Sequence, residues 1–298
     1  MRVGDFEILD VFAERPGAGN QLAVVFASGK ESTGVLQRVA REFNFSETVF
    51  LPAELPVDPA NSGVPTRIFT PMEELPFAGH PTLGASWVVR RHTGAKEVIL
   101  SEGVGDIHTW YEGDRGDPIV WMRQREPEYL EFADPRAVAA ALCLQPDDVS
   151  ASPAPQRVST GLAFLLVPLA SRNAVARARI NSEALADIYG VDAPPVLLFA
   201  REAEEPGHQI RARMYAPHLG IPEDPATGSA AGCLVAYLLK HRLLGDSVDA
   251  VMEQGYEMGR PSVLHLSGRV YGAHTVINVG GAVQLVATGS LVSFQAFE

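Results

Sequence analysis

Three residues of this chain have types and surroundings suited to proton chemistry: Glu47, His80 and Asp224. Phe45–Leu51 reads as a strand in which residues 45, 47, 49 and 51 share one face, and that face runs Phe45, Glu47, Val49, Leu51. Burial among such neighbours disfavours a carboxylate and raises its pKa, which suits a group that both takes and gives a proton. The plainer alternative is a strand-end glutamate that reaches water. His80 lies between Gly79 and Pro81 at a helix start, where the neutral imidazole is favoured. A loop histidine packed on its turn fits the same residues. Asp224 stands in Pro222-Glu223-Asp224-Pro225-Ala226-Thr227-Gly228-Ser229, and Asp-Pro before a helix is a common cap. What singles it out is its place in an internal repeat.

Two helix starts form the next element. Gly79, Gly84, Gly228, Ser229 and Gly232 permit close backbone approach, and free N–H groups there attract anions. Two such ends facing one cleft would clamp a carboxylate; close helix packing explains the small residues equally well. The loop Gly255-Tyr256-Glu257-Met258-Gly259-Arg260-Pro261-Ser262 supplies one arginine for an acidic substrate, or is a plain turn. No HExxH, Gly-x-Ser-x-Gly, P-loop or GxGxxG motif occurs, and the 8 histidines lack ligand spacing, so no metal is expected. Cys143 and Cys233 are the 2 cysteines, and both read as packed, inert thiols.

These residues need elements to position them. Phe6–Phe12 and Leu22–Phe26 read as strands joined by the turn-rich Arg15-Pro16-Gly17-Ala18-Gly19-Asn20. Ser32 or Thr33 caps a helix with apolar positions Leu36, Val39, Ala40 and Phe43, ended by Asn44. Arg67–Thr70 is a strand, and a further helix opens near Pro81. The second half repeats this plan: Arg67-Ile68-Phe69-Thr70-Pro71 and Leu75-Pro76 match Arg213-Met214-Tyr215-Ala216-Pro217 and Ile221-Pro222. Each Pro-rich loop then enters a small-residue helix start. One long period of this kind predicts two related domains rather than a solenoid. The seam falls within Gln124–Ala154, which also holds a helix over Asp134–Leu144.

The 298 residues suit two domains at about 150 each. Hydrophobic residues are 46% and charged residues 20%, an ordinary globular composition. A net charge of −12 argues against a broad basic surface for nucleic acid. No secretory signal or stretch of about 20 apolar residues occurs, so a soluble, cytoplasmic protein without membrane or nucleic-acid partners is expected.

Taken in order, Asp10-Val11-Phe12, Gly19-Asn20-Gln21-Leu22-Ala23-Val24-Val25, Phe45-Ser46-Glu47-Thr48-Val49-Phe50, Glu74-Leu75-Pro76-Phe77-Ala78-Gly79-His80-Pro81-Thr82-Leu83-Gly84-Ala85, Glu223–Gly232 and Gly259-Arg260-Pro261-Ser262 resemble the phenazine-biosynthesis isomerase (PhzF-like) family of the diaminopimelate epimerase superfamily. The resemblance implies an α+β fold of two similar domains, residues 1–126 and 127–298. Each would be a curved, barrel-like mixed sheet around a central helix, with the active site between them and the last strand, 283–294, pairing back with the first domain. It implies a homodimer acting on a small carboxylate-bearing substrate without cofactor or metal. The family's catalytic residues map onto Glu47, His80 and Asp224, and its substrate-binding residues onto Asn20, Gly79, Thr227, Gly228 and Ser229. Racemases of the superfamily use two facing cysteines; this chain has Ala78 at one such position and Ala230 or Ala231 at the other. The expected activity is therefore a carboxylic-acid proton shuttle for isomerisation. The alternatives are a racemase or epimerase of an amino or hydroxy acid, and a silent small-anion-binding protein.

Overall fold

The computed structural model describes residues 1–113, 118–190 and 193–292. The chain divides into two compact units, one of residues 1–123 with 280–298 and the other of residues 124–279. The first contains β1 (Asp5–Val11), β2 (Asn20–Ala27), α1 (Thr33–Phe43), β3 (Glu47–Pro52), α2 (Pro59–Ser62), β4 (Val64–Pro65), β5 (Arg67–Phe69), β6 (Glu74–Leu75), α3 (Gly79–Thr93), β7 (Glu97–Glu102), β8 (Gly105–Glu112) and β9 (Ile119–Arg123). The second contains β10 (Glu128–Phe132), α4 (Pro135–Ala141), β11 (Gln156–Ser159), β12 (Ala163–Pro168), α5 (Arg172–Arg177), α6 (Ser182–Tyr189), β13 (Val196–Ala200), β14 (Ile210–Ala216), β15 (Ile221–Asp224), α7 (Gly228–Lys240), β16 (Ser247–Gln254) and β17 (Ser262–Tyr271). The strand β18 (His274–Gly281) follows, and β19 (Val283–Ser290) pairs antiparallel with β1. Positions 293 and 294, the end of the expected last strand, lie outside the described residues.

In the first unit, the strands of one sheet run β19-β1-β2-β3-β5-β6, and β4, β7, β8 and β9 pair in the order β9-β8-β7-β4. β1 and β2 are antiparallel, while β2 and β3 are parallel and need the crossover that α1 provides. Ser32 caps α1 by accepting from the Val35 amide, and Asn44 ends it in the left-handed conformation at φ 54°. The buried face of α1 (Leu36, Val39 and Ala40) packs with Val25, Phe50 and Phe69. Helix α3 lies across β1, β2 and β3, and most of its residues from Gly79 to Val89 are buried. A Cβ at Gly84 would collide with Leu22 and come within 3.1 Å of Val11, so glycine sets how closely helix and sheet approach.

The second unit repeats this topology: β11-β12-β13-β14-β15 followed by α7 answers β1-β2-β3-β5-β6 followed by α3. β12 and β13 are parallel like β2 and β3, with α5 and α6 in the crossover. An arginine clamps each strand return. Arg67 binds both Glu74 oxygens at 2.7 Å, and Arg213 binds both Glu223 oxygens at 2.7 and 2.9 Å. Helix α7 is buried from Ala230 to Leu239 and packs on β11, β12, β16 and β17. The fold is thus mixed α+β with two similar halves. No pairing among the described residues closes either unit into a barrel. In the first unit, β6 stops after two residues at Pro76, which has no N–H to extend a ladder. No helix among the described residues is long and apolar enough to cross a membrane.

Candidate active site

Glu47 is the first residue of β3 rather than its middle, and it pairs in register with Leu22 of β2. Phe45 precedes the strand. Thr48, Val49, Phe50 and Leu51 are all buried, so alternation along β3 does not separate an inner from an outer face. The Glu47 side chain is 12% exposed, and its Oε2 lies 3.4 Å from Nε2 of His80. His80 occupies the first turn of α3 beside Gly79, and its Nδ1 is 3.3 Å from the Asn20 amide nitrogen at the start of β2. The Asn20 amide nitrogen can only donate, which makes Nδ1 the acceptor and assigns the neutral ring's proton to Nε2; no hydrogen bond spans the 3.4 Å from Nε2 to Glu47. Burial pushes the imidazole pKa down to about 3, against a smaller upward pull from the Gln21 backbone. His80 is therefore neutral throughout the physiological range. Gly19 brings the preceding turn close: it has φ +64°, and a Cβ there would sit 2.7 Å from that of Ala13.

Asp224, Thr227, Gly228 and Ser229 form a second group, in the second unit. Asp224 ends β15 and is buried, and its Oδ2 accepts the Thr227 hydroxyl. The N-cap of α7 is Thr227, not Asp224, and its side chain does not cap the helix. Gln254, at the end of β16, donates to the Asp224 carbonyl at 2.7 Å and to the Thr227 hydroxyl at 3.1 Å, and it accepts from the Thr227 amide at 3.3 Å. Gln254 is fully buried, and the sequence reading missed it because a lone glutamine ending a strand carries no pattern. Gly255, at φ +77°, has the Pro225 carbonyl so close that no side chain fits. The loop that follows is a short 3-10 turn, Tyr256–Met258, held by Arg211 through Glu257 at 2.8 Å and by stacking on Tyr256 at 4.0 Å. Gly228 is buried and Ser229 half-buried in the first turn of α7, whose leading N–H groups have no intrahelical acceptor.

Of the two thiols, Cys233 is buried on α7 and burial pushes its pKa up to about 11. Cys143 corrects the expectation of packing: it is exposed, at φ 53° in the turn after α4. That turn points it outward although Ala141 and Leu142 beside it are core residues. Among the described residues, no three His, Cys, Asp or Glu side chains are grouped to hold a metal.

An open α+β chain of two similar halves, each with a buried helix behind a strand return, has the fold of the epimerases. A hydroxyproline epimerase from Agrobacterium vitis shares it at a TM-score of 0.62 and 12% identity, covering 96% of this chain and 90% of that one. A phenazine biosynthesis protein of the PhzF family from Bacillus anthracis superposes at a TM-score of 0.86, with 22% identity over 98% of this chain and 100% of the other. Residues 9–289 match the PhzC-PhzF family, described as phenazine biosynthesis-like protein, and the chain belongs to that family. An uncharacterized isomerase of Mesorhizobium japonicum is 34% identical over 98% of this chain and 99% of its own length. The trans-2,3-dihydro-3-hydroxyanthranilate isomerase of Pseudomonas aeruginosa is 34% identical over 87% of this chain and 88% of its own. The enzyme class is isomerase.

Proposed function

We propose that this isomerase moves a proton on a small carboxylate-bearing metabolite, with Glu47 as the general acid/base. The observation that carries the reading is the contact between Glu47 and the buried neutral His80. A neutral imidazole 3.4 Å from the carboxyl adds no positive charge beside Glu47 and leaves the proton transfer to the carboxyl. The carboxyl exchanges its proton with water and then delivers a proton at a second carbon. His80 is itself oriented by Asn20. Within the second unit, Asp224 is positioned by Thr227 and Gln254 as a further acid, and the leading N–H groups at Gly228 and Ser229 suit a carboxylate; within the first unit, those at Gly79 do the same. The 34% identity to an isomerase of trans-2,3-dihydro-3-hydroxyanthranilate makes that compound the first probe.

Incubation of the probe with enzyme in deuterated water, followed by NMR, should show product carrying solvent deuterium at carbon. Glu47→Gln should fold normally and lose on the order of 10²-fold or more in turnover, the usual contribution of a general acid/base. Turnover within a few-fold of wild type in that variant rejects the assignment.

A further inference from the structure

One buried acid beside α3 takes no part in this reading. Glu102, the last residue of β7, is 8% exposed, and its Oε1 lies 2.7 Å from the Thr82 hydroxyl in the first turn of α3. The same hydroxyl lies 2.7 Å from the carbonyl oxygen of Ala78, the N-cap residue. Thr82 therefore has one proton for two oxygens. The Ala78 carbonyl can only accept. When Thr82 donates to it, the second short contact is a hydrogen bond only if the Glu102 carboxyl carries a proton of its own. The other carboxyl oxygen, Oε2, is buried without a hydrogen-bond partner, a position that costs a charged carboxylate far more than a neutral acid.

Among the described residues, no cation pairs with this carboxyl. On β7 itself the other charged residue is Glu97; the titratable groups on β8 are Asp106, His108, Tyr111 and Glu112, and those on α3 are His80, Arg90, Arg91 and His92. α2 and β4, which also pack on β7, bring none. Thr82 is the hydrogen-bond partner of the carboxyl, and burial overrides its downward pull to push the Glu102 pKa up to about 8.

We propose that Glu102 is kept as a neutral carboxylic acid which donates to Thr82, so that Thr82 can clasp the Ala78 carbonyl and fix the turn that carries His80. Glu102 is then a positioning residue. Ionised, the carboxylate could only accept, and it would draw the Thr82 proton off the Ala78 carbonyl. That carbonyl would keep only the Thr82 amide, 3.2 Å away. The consequence for turnover rests on the Glu47–His80 reading; the protonation state of Glu102 does not.

The test is an NMR titration of protein isotope-labelled at glutamate carboxyls and histidine ring nitrogens, run across about pH 6 to 9.5. In wild type, one carboxyl resonance, missing from Glu102→Gln, should move near pH 8, and the His80 nitrogens should shift over the same interval. In Glu102→Gln, whose amide still donates to Thr82, the His80 nitrogens should stay put. Thr82→Val should leave His80 unresponsive. A Glu102 carboxyl that is ionised throughout the range overturns the proposal, and so does a titration that His80 does not feel. Near-wild-type turnover by Glu47→Gln, with both NMR results as expected, supports this proposal and rejects the functional reading instead.

Discussion

A neutral histidine beside a half-buried glutamate divides the labour between them. His80 cannot hold a positive charge near neutral pH, so it orients, and the transferred proton belongs to Glu47 under the proposed reading. The thiols test this division directly. Cys233 stays protonated because burial holds its pKa near 11, whereas Cys143 is open to reagents. Iodoacetamide should therefore modify Cys143 alone, as read by mass spectrometry, and leave turnover of the probe within a few-fold of untreated enzyme. Replacing both cysteines with alanine should do the same. Rapid inactivation that substrate prevents would show that a thiol carries the chemistry, and Glu47 would lose its role.

Among the elements, α3 has the tightest constraint, because its first turn carries His80 and its middle rests on β1 and β2. Gly84 makes that approach possible. Gly84→Ala gains about 1 kcal/mol of helix propensity, but its methyl would press on Leu22 in a packed core, where overpacking costs about 1–3 kcal/mol. Gly84→Val adds two more methyls and no comparable gain. Urea unfolding should therefore place both variants below wild type, valine the lower. A valine variant as stable as wild type would mean that helix and sheet can separate without cost.

For the molecule as a whole, His80 and Glu102 make stability depend on pH in opposite directions. An unfolded chain protonates residue 80 below its ordinary value of 6.5, whereas the folded chain refuses that proton down to about 3. The contribution of His80 is therefore whole above pH 6.5 and falls as pH drops toward 3. Glu102 ionises above 4.5 when unfolded but only near 8 when folded, so its contribution is whole below 4.5 and falls as pH rises to 8. Each slope is about 1.4 kcal/mol per pH unit. They cancel between 4.5 and 6.5 and leave a decline from 6.5 to 8. The 3 tryptophans, Trp87, Trp110 and Trp121, all lie in the first unit with both groups, so their fluorescence follows its unfolding. Urea midpoints should fall between pH 6.5 and 8 in wild type and much less in Glu102→Gln. Equal declines in the two proteins would exclude a raised Glu102 pKa.

The family and the α+β plan of two similar halves were legible in the chain itself. They rest on signals that short segments carry: the Pro-rich loop before each helix, the glycine-marked helix starts, and the matched series around Arg67 and Arg213. Such signals report backbone conformation, which neighbours along the chain largely set. Side-chain surroundings are set by residues far away in sequence, and there the tertiary structure decided. Glu47 owes its setting to β2 and to His80, not to alternation along a strand that is buried on both faces. Cys143 sits among apolar neighbours yet points to solvent, because a left-handed turn rotates it out of the core. Gln254 and Glu102 had no motif to announce them. The first became a support of Asp224 when β16 came beside β14, and the second a buried acid when α3 settled over β7. Periodicity tells which way a side chain leaves its own backbone; only packing decides what it meets there.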